Sequence, residues 1–138
     1  MQINETIATF VGRILMSLLF VTSGWFKLMG AAATQAMFTK LNLPMPEAAW
    51  LLAVVIEFGG GLAILFGLFT RPVAFICAVW CVATALVAHT DLGDNMQRIQ
   101  FFKNMGMTGG YLYIAAFGAG AWSLDAWWWG RRGAVTAG

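Results

Sequence analysis

The sequence predicts an all-α integral membrane protein: a four-helix bundle with a short interfacial helix between the first and second spans. Three observations predict it. Of 138 residues, 60% are hydrophobic and 10% are charged, whereas soluble domains run at roughly 45–50% and about 25%. Eight Lys or Arg and six Asp or Glu side chains cannot clothe a water-facing surface, and the mean hydropathy of +0.75 is that of a chain solvated by lipid. Finally, the charges divide the chain into stretches of spanning length. Residues 72–88 and 104–124 carry neither charge nor His, and 48–70 carry only Glu57. These runs are continuous rather than alternating, so helices are favoured over a β-barrel. Disorder, a nucleic-acid-binding domain and a disulfide scaffold are excluded by the same composition.

The expected spans are residues 7–29, 47–70, 72–90 and 101–121, in a single domain covering 1–138, each near the roughly 20 residues that cross a bilayer. The first contains Arg13 and Lys27 around a strongly apolar centre. Glu5 and the lack of a positive charge before Thr6 argue against a cleaved signal peptide. Between the first two spans, Thr34, Met37, Phe38 and Leu41 fall at helical spacing, fitting a short interfacial helix that Leu43-Pro44-Met45-Pro46 stops. Gly67-Leu68-Phe69-Thr70-Arg71-Pro72 reads as a tight turn with Pro72 opening the third helix, which makes helices two and three antiparallel neighbours. Residues 91–100 form the most polar loop. The tail, 122–138, carries Trp127-Trp128-Trp129 and then Arg131-Arg132, an aromatic belt and a basic anchor. Simple counting balances Arg13, Arg71, Arg131 and Arg132 against Lys27, Lys40, Arg98 and Lys103 on the opposite side. Weighting the terminal Arg pair places both termini in the cytoplasm.

A charge in hydrocarbon costs on the order of 2.5–3.5 kcal/mol, so each must be paired, hydrated or able to snorkel. Alternating helix directions bring Lys27, His89, Gln100, Lys103 and Asn104 to one side, with Glu57 about 15 Å below it by helical rise. Lys27, Glu57, His89, Lys103 and Asn104 are therefore the candidate ligand-binding residues. Arg13, Arg71 and Asp125 form a polar cluster on the opposite side. Glu57 admits two readings, a ligand or proton site and a structural clamp between helices. Gly59-Gly60-Gly61, immediately after it, is best read as tight helix contact. Lys103 alone reads as an interface anchor, whereas Asn104 opening a span needs hydrogen-bond partners. His89 is the sole histidine, so no multi-histidine metal or haem site forms within one chain and no metal is expected. Cys77 and Cys81 stand four apart, with Cβ atoms about 5–6 Å apart on a helix, too far for a disulfide. They are expected to be buried small hydrophobes.

The order and spacing of Gly12-Arg13, Ser23-Gly24, Lys27, Pro44-Met45-Pro46, Glu57, Gly67-Leu68-Phe69-Thr70-Arg71-Pro72, Ala88-His89, Phe101-Phe102-Lys103-Asn104 and Ser123-Leu124-Asp125 resemble the DoxX family, especially its small bacterial inner-membrane branch. The resemblance covers nearly the whole chain. It implies a four-helix protein of the bacterial cytoplasmic membrane with its termini inside. It also implies a loose redox link, because relatives resemble subunits of thiosulfate:quinone oxidoreductase or partners of thiol and superoxide defence systems. Ala88 stands where some relatives carry a second histidine, which argues against a metal.

Two main functions follow as expectations. In one, the chain is an accessory subunit of quinone or thiol redox chemistry, with no intrinsic cofactor and a quinone bound by Glu57, His89, Lys103 and Asn104 while a redox partner protein supplies electrons. In the other it transports or binds a small hydrophobic or weakly acidic molecule, with Glu57 as protonatable switch and a homo-oligomer expected. A structural role, with the Trp-rich tail anchoring a partner, is the third. The lipid bilayer is the one partner common to all three, and no nucleic acid is expected.

Overall fold

The computed structural model describes residues 3–135, with side chains described for 4–130. Every regular element in it is helical: α1 (Ile3–Met29), α2 (Ala31–Lys40), α3 (Pro46–Val54), a π-helical turn (Val55–Gly59), α4 (Gly60–Phe66), α5 (Thr70–Ala88), α6 (Asn95–Phe117) and α7 (Leu124–Val135). Among the described residues three helices are long and apolar enough to cross a membrane: Asn4–Met29, Pro46–Phe66 and Thr70–Ala88. The fourth rod of the bundle, α6, has 23 residues and so extends about 35 Å, but its first half carries Asn95, Gln97, Arg98, Gln100, Lys103 and Asn104.

The helix bounds differ from those expected where backbone geometry overrides hydropathy. The second span stops at Phe66 rather than residue 70. Gly67 takes a left-handed φ of 68°, and the Gly67 and Leu68 amides donate back to Ile64 and Ala63, the Schellman arrangement that closes a helix. The third span begins at Thr70, so Pro72 sits inside its first turn, where a missing amide hydrogen is still harmless. α6 begins at Asn95, ahead of the expected residue 101, because Asp94 caps it by accepting from the Gln97 amide at 2.8 Å. It ends at Phe117, before Gly118 with its φ of 84°. The short helix between the first two spans is present as α2, ending before the proline-containing turn.

The α3–α4 span packs between α1 and α5, and α6 lies along α5 and touches α1, which closes the ring. Phe20, Ile64, Ala74, Cys77, Ala78, Cys81, Met107 and Tyr111 meet in the centre as one cluster, contributed by α1, α4, α5 and α6. Tyr111 ties α6 to α1 through its hydroxyl, which donates to the Met16 carbonyl at 3.0 Å, and its ring packs on Phe20. Cys77 and Cys81 are buried and free, as expected of small hydrophobes. Large apolar side chains such as Leu15, Phe75, Val79 and Phe102 face outward, the arrangement lipid rewards and water penalises.

Two glycines let α1 and the second span approach closely. A Cβ at Gly24 would run into the Phe58 backbone, and one at Gly61 would lie 2.8 Å from the Val21 nitrogen. Gly60 is likewise tight, 3.2 Å from the Cys77 sulfur, whereas Gly59 faces open space. The tight-contact reading thus holds for the second and third of the three glycines and not for the first. Gly24→Ala is expected to cost about 1–3 kcal/mol through overpacking. Gly59→Ala is expected to leave stability unchanged or slightly raised, and thermal unfolding of both variants in detergent checks the contrast.

Candidate functional site

Glu57 lies in the π turn, and the extra residue per turn there re-aims its side chain into the bundle, a distortion often found at functional positions. The residue is 5% exposed. Its Oε2 accepts from Lys27 Nζ at 2.5 Å and from Ser23 Oγ at 2.7 Å, and its Oε1 accepts from the Trp80 indole at 3.0 Å. Ser23 and Lys27 stand four apart on one face of α1, and the ammonium also donates to Ser23 Oγ at 2.9 Å. Trp50 of α3 donates to the Lys27 carbonyl at 2.8 Å, fastening the end of α1. The carboxylate therefore joins α1 to α5 through the second span. The clamp reading and the site reading of Glu57 share one geometry.

The wall opposite is built by two helical stripes. On α5, Trp80, Thr84 and Ala88 recur every four residues. On α6, Gln97, Gln100, Asn104 and Met107 recur every three or four. All of these line one cavity of about 520 Å³, together with Lys27, Glu57, His89 and Lys103. The five candidate ligand-binding residues thus meet around a single space, with Phe20, Phe26, Phe38 and Leu41 supplying its apolar surface. Asn104 Nδ2 donates to Thr84 Oγ1 at 3.2 Å, and Thr84 in turn donates to the Trp80 carbonyl. His89, immediately after α5, pairs through Nδ1 with Gln97 Oε1 at 3.0 Å. The contact fixes the orientation of the imidazole against α6. Lys103 donates to Gln100 Oε1.

Ser23, Trp80, Thr84, Gln97 and Gln100 are polar lining residues outside the five candidate ligand-binding residues. For Gln97 and Gln100 a signal existed, since polar side chains recur at helical spacing through Asn104, but residues 91–100 read as loop. Trp80 carried none, being one of seven tryptophans in an apolar chain.

The opposite cluster is a latch. Arg13, 3% exposed, donates to the Ala119 carbonyl at 2.6 Å and the Trp122 carbonyl at 2.7 Å, and its guanidinium lies 5.5 Å from the Phe10 ring centroid. Asp125 accepts from the amides of Phe69 and Thr70, each at 2.8 Å, capping α5 from a distant part of the chain. Its own amide returns a bond to the Gly67 carbonyl. Arg71 joins neither residue; it is exposed and flanks Gly118. The Trp-rich tail begins as α7, with Trp127, Trp128 and Trp129 exposed, while the side chains of Arg131 and Arg132 lie outside the described residues. Among the described residues no three His, Cys, Asp or Glu side chains gather as a metal site.

Removing one member of a buried ion pair strands the other. Lys27→Met is expected to destabilise by about 3–5 kcal/mol, and adding Glu57→Leu to restore most of that loss, both read from unfolding in detergent. A Lys27→Met protein as stable as the parent would contradict the clamp. On the latch, Asp125→Ala is expected to cost about 1–2 kcal/mol through the lost cap. Arg71→Ala is expected to stay within about 0.5 kcal/mol, and the same unfolding series ranks the two.

The DoxX family model matches residues 8–90. "Inner membrane protein YqjF" of Escherichia coli (strain K12) is 40% identical over 124 residues, covering 88% of this chain and 92% of its own length. "Inner membrane protein YphA" of the same organism is 36% identical over 122 residues, covering 83% and 86%. No solved structure matches the chain. The family match runs through α1, the π turn with Glu57 and all of α5, and the relatives extend the likeness across most of the chain; the protein belongs to the DoxX family.

Proposed function

We propose that this chain is a binding subunit of a bacterial inner membrane, with both termini in the cytoplasm, and that its cavity holds the ring headgroup of a quinone for a redox partner protein. The carrying observation is the convergence of Lys27, Glu57, His89, Lys103 and Asn104 on one cavity of about 520 Å³, within the few hundred to about 1,000 Å³ typical of small-molecule sites. The names of the two relatives support the location, and the three apolar helices support the membrane.

The chemistry of the wall suits such a ring. Its two carbonyl oxygens are acceptors, and Lys103 Nζ and Asn104 Nδ2 are donors within the same cavity. Negative charge developing on a ring oxygen during reduction is favoured beside the Lys103 ammonium. His89 lines the same cavity and can exchange the accompanying proton, with Gln97 holding the imidazole in one orientation. Phe20, Phe26, Phe38 and Leu41 offer apolar contact to the ring faces. One histidine and two cysteines in the whole sequence provide too few ligands for a haem or iron–sulfur relay, so a partner supplies the electrons.

A second reading, transport of a small weakly acidic molecule with Glu57 as the switch, is favoured by one observation. Glu57 holds α1 to α5 through Lys27, Ser23 and Trp80, so protonating it would loosen two helices at once.

Titration of a short-tailed quinone into the protein in lipid nanodiscs tests the first reading. Wild type is expected to bind it, and Asn104→Leu to weaken binding about tenfold, the worth of one buried hydrogen bond. Unchanged affinity in a folded Asn104→Leu protein, or no binding by wild type, contradicts that reading. Glu57→Gln that folds and binds quinone but abolishes uptake of a weak acid would favour transport.

A further inference from the structure

We propose that the cavity selects ring ligands that are anionic, an ionised hydroxyquinone or phenol in preference to a neutral quinone, and that Lys103 is the residue that makes the selection. This inference rests on the quinone-headgroup reading above and adds the charge state of the ligand.

It comes from the charges in the cavity wall. Lysine and glutamate supply three formal charges there, from Lys27, Glu57 and Lys103, with the single His89 in addition. Lys27 and Glu57 cancel in a direct ion pair at 2.5 Å, and both Glu57 oxygens are already occupied by donors. Lys103 has no such counter-charge. Its hydrogen-bond partner is the uncharged Gln100 amide oxygen. The carboxylates of the adjoining loop are committed locally: Asp91 accepts from the Gly93 and Asp94 amides, and Asp94 accepts from the Gln97 amide. Neither of them lines the cavity. The wall therefore has one positive charge in excess, on an ammonium with three donor hydrogens and one protein acceptor.

Lys103 lines the cavity with its side chain exposed, so its ammonium is open to an anion that enters, which gains a charge-assisted hydrogen bond there. A neutral carbonyl offers it a hydrogen bond only. An ionised ring oxygen offers the hydrogen bond and the missing charge. Asn104 and Thr84 remain to contact the rest of the ring, since neither carries a charge to repel it.

The test uses a matched pair, a hydroxynaphthoquinone that is ionised at neutral pH and its uncharged methyl ether, each titrated into the full chain in neutral-lipid nanodiscs. Wild type is expected to bind the anion at least about tenfold more tightly than the ether, the usual advantage of a charge-assisted over a neutral hydrogen bond. Lys103→Arg is expected to keep that preference. Lys103→Gln, which retains an N–H donor, is expected to lose it and bind the two ligands alike. Equal binding of both ligands by wild type overturns the charge selection and leaves the quinone reading standing. A preference that persists in Lys103→Gln overturns the assignment to Lys103. If wild type binds neither ligand, the headgroup reading and this inference fall together.

Discussion

Burying a carboxylate among apolar helices costs several kcal/mol unless a counter-charge and further donors reach it, and in this protein that requirement organises the bundle. Glu57 meets it with Lys27, Ser23 and Trp80, taken from the helices on either side of its own. To bring those donors within bond length, α1 must approach the second span closely, which the glycines at 24 and 61 permit, and the backbone at Glu57 must open into a π turn. The same placement puts the polar network at the floor of a cavity rather than inside a packed core. The hydrophobic cluster of Phe20, Ile64, Cys77, Cys81 and Tyr111 then fills the bundle centre beside it.

The two polar regions divide the work of the molecule. At one end Arg13 and Asp125 spend their charges on backbone groups, closing the α6–α7 connection onto α1 and onto the start of α5. The Arg13 and Asp125 bonds there all run to the chain's own backbone, although Arg13 Nε and Thr70 Oγ1 stay buried without a partner. At the other end the amides, the histidine and Lys103 bond to uncharged side chains around the cavity. One end therefore bonds side chains to backbone and ties helices together, while the other gathers polar side chains around a cavity.

Much of this was legible in the sequence because in a membrane protein the rare polar residues stand out against the apolar ones. Glu57, Lys27, His89, Lys103 and Asn104 are conspicuous for that reason, and alternating spans suffice to bring them to one side. The partners of Glu57 were not legible as such. Ser23 and Trp80 are ordinary residues of apolar helices until tertiary packing turns them toward the carboxylate, and contacts between residues 23 or 34 positions apart leave no local pattern. Arg13 was placed correctly as a buried polar residue, but its acceptors are the carbonyls of Ala119 and Trp122, and backbone acceptors have no sequence signature. The start of α6 was misplaced because Asn95, Gln97, Arg98 and Gln100 look like loop by hydropathy, while the Asp94 cap and a polar stripe facing the cavity make them helix. Arg71 falls beside Arg13 and Asp125 by helix direction alone, and the fold leaves it at the surface without joining either.

If the cavity holds a ring-headed amphiphile in the living membrane, as proposed above, that compound should leave the membrane with the protein. Native mass spectrometry of the protein released gently from its own membrane, with organic extraction and identification of what it carries, tests this most directly. The expected result is a near-stoichiometric quinone or related ring compound that disappears when the cavity wall is altered at Asn104. Phospholipid alone, or an empty protein, would contradict it and leave the Glu57 network as a brace between helices.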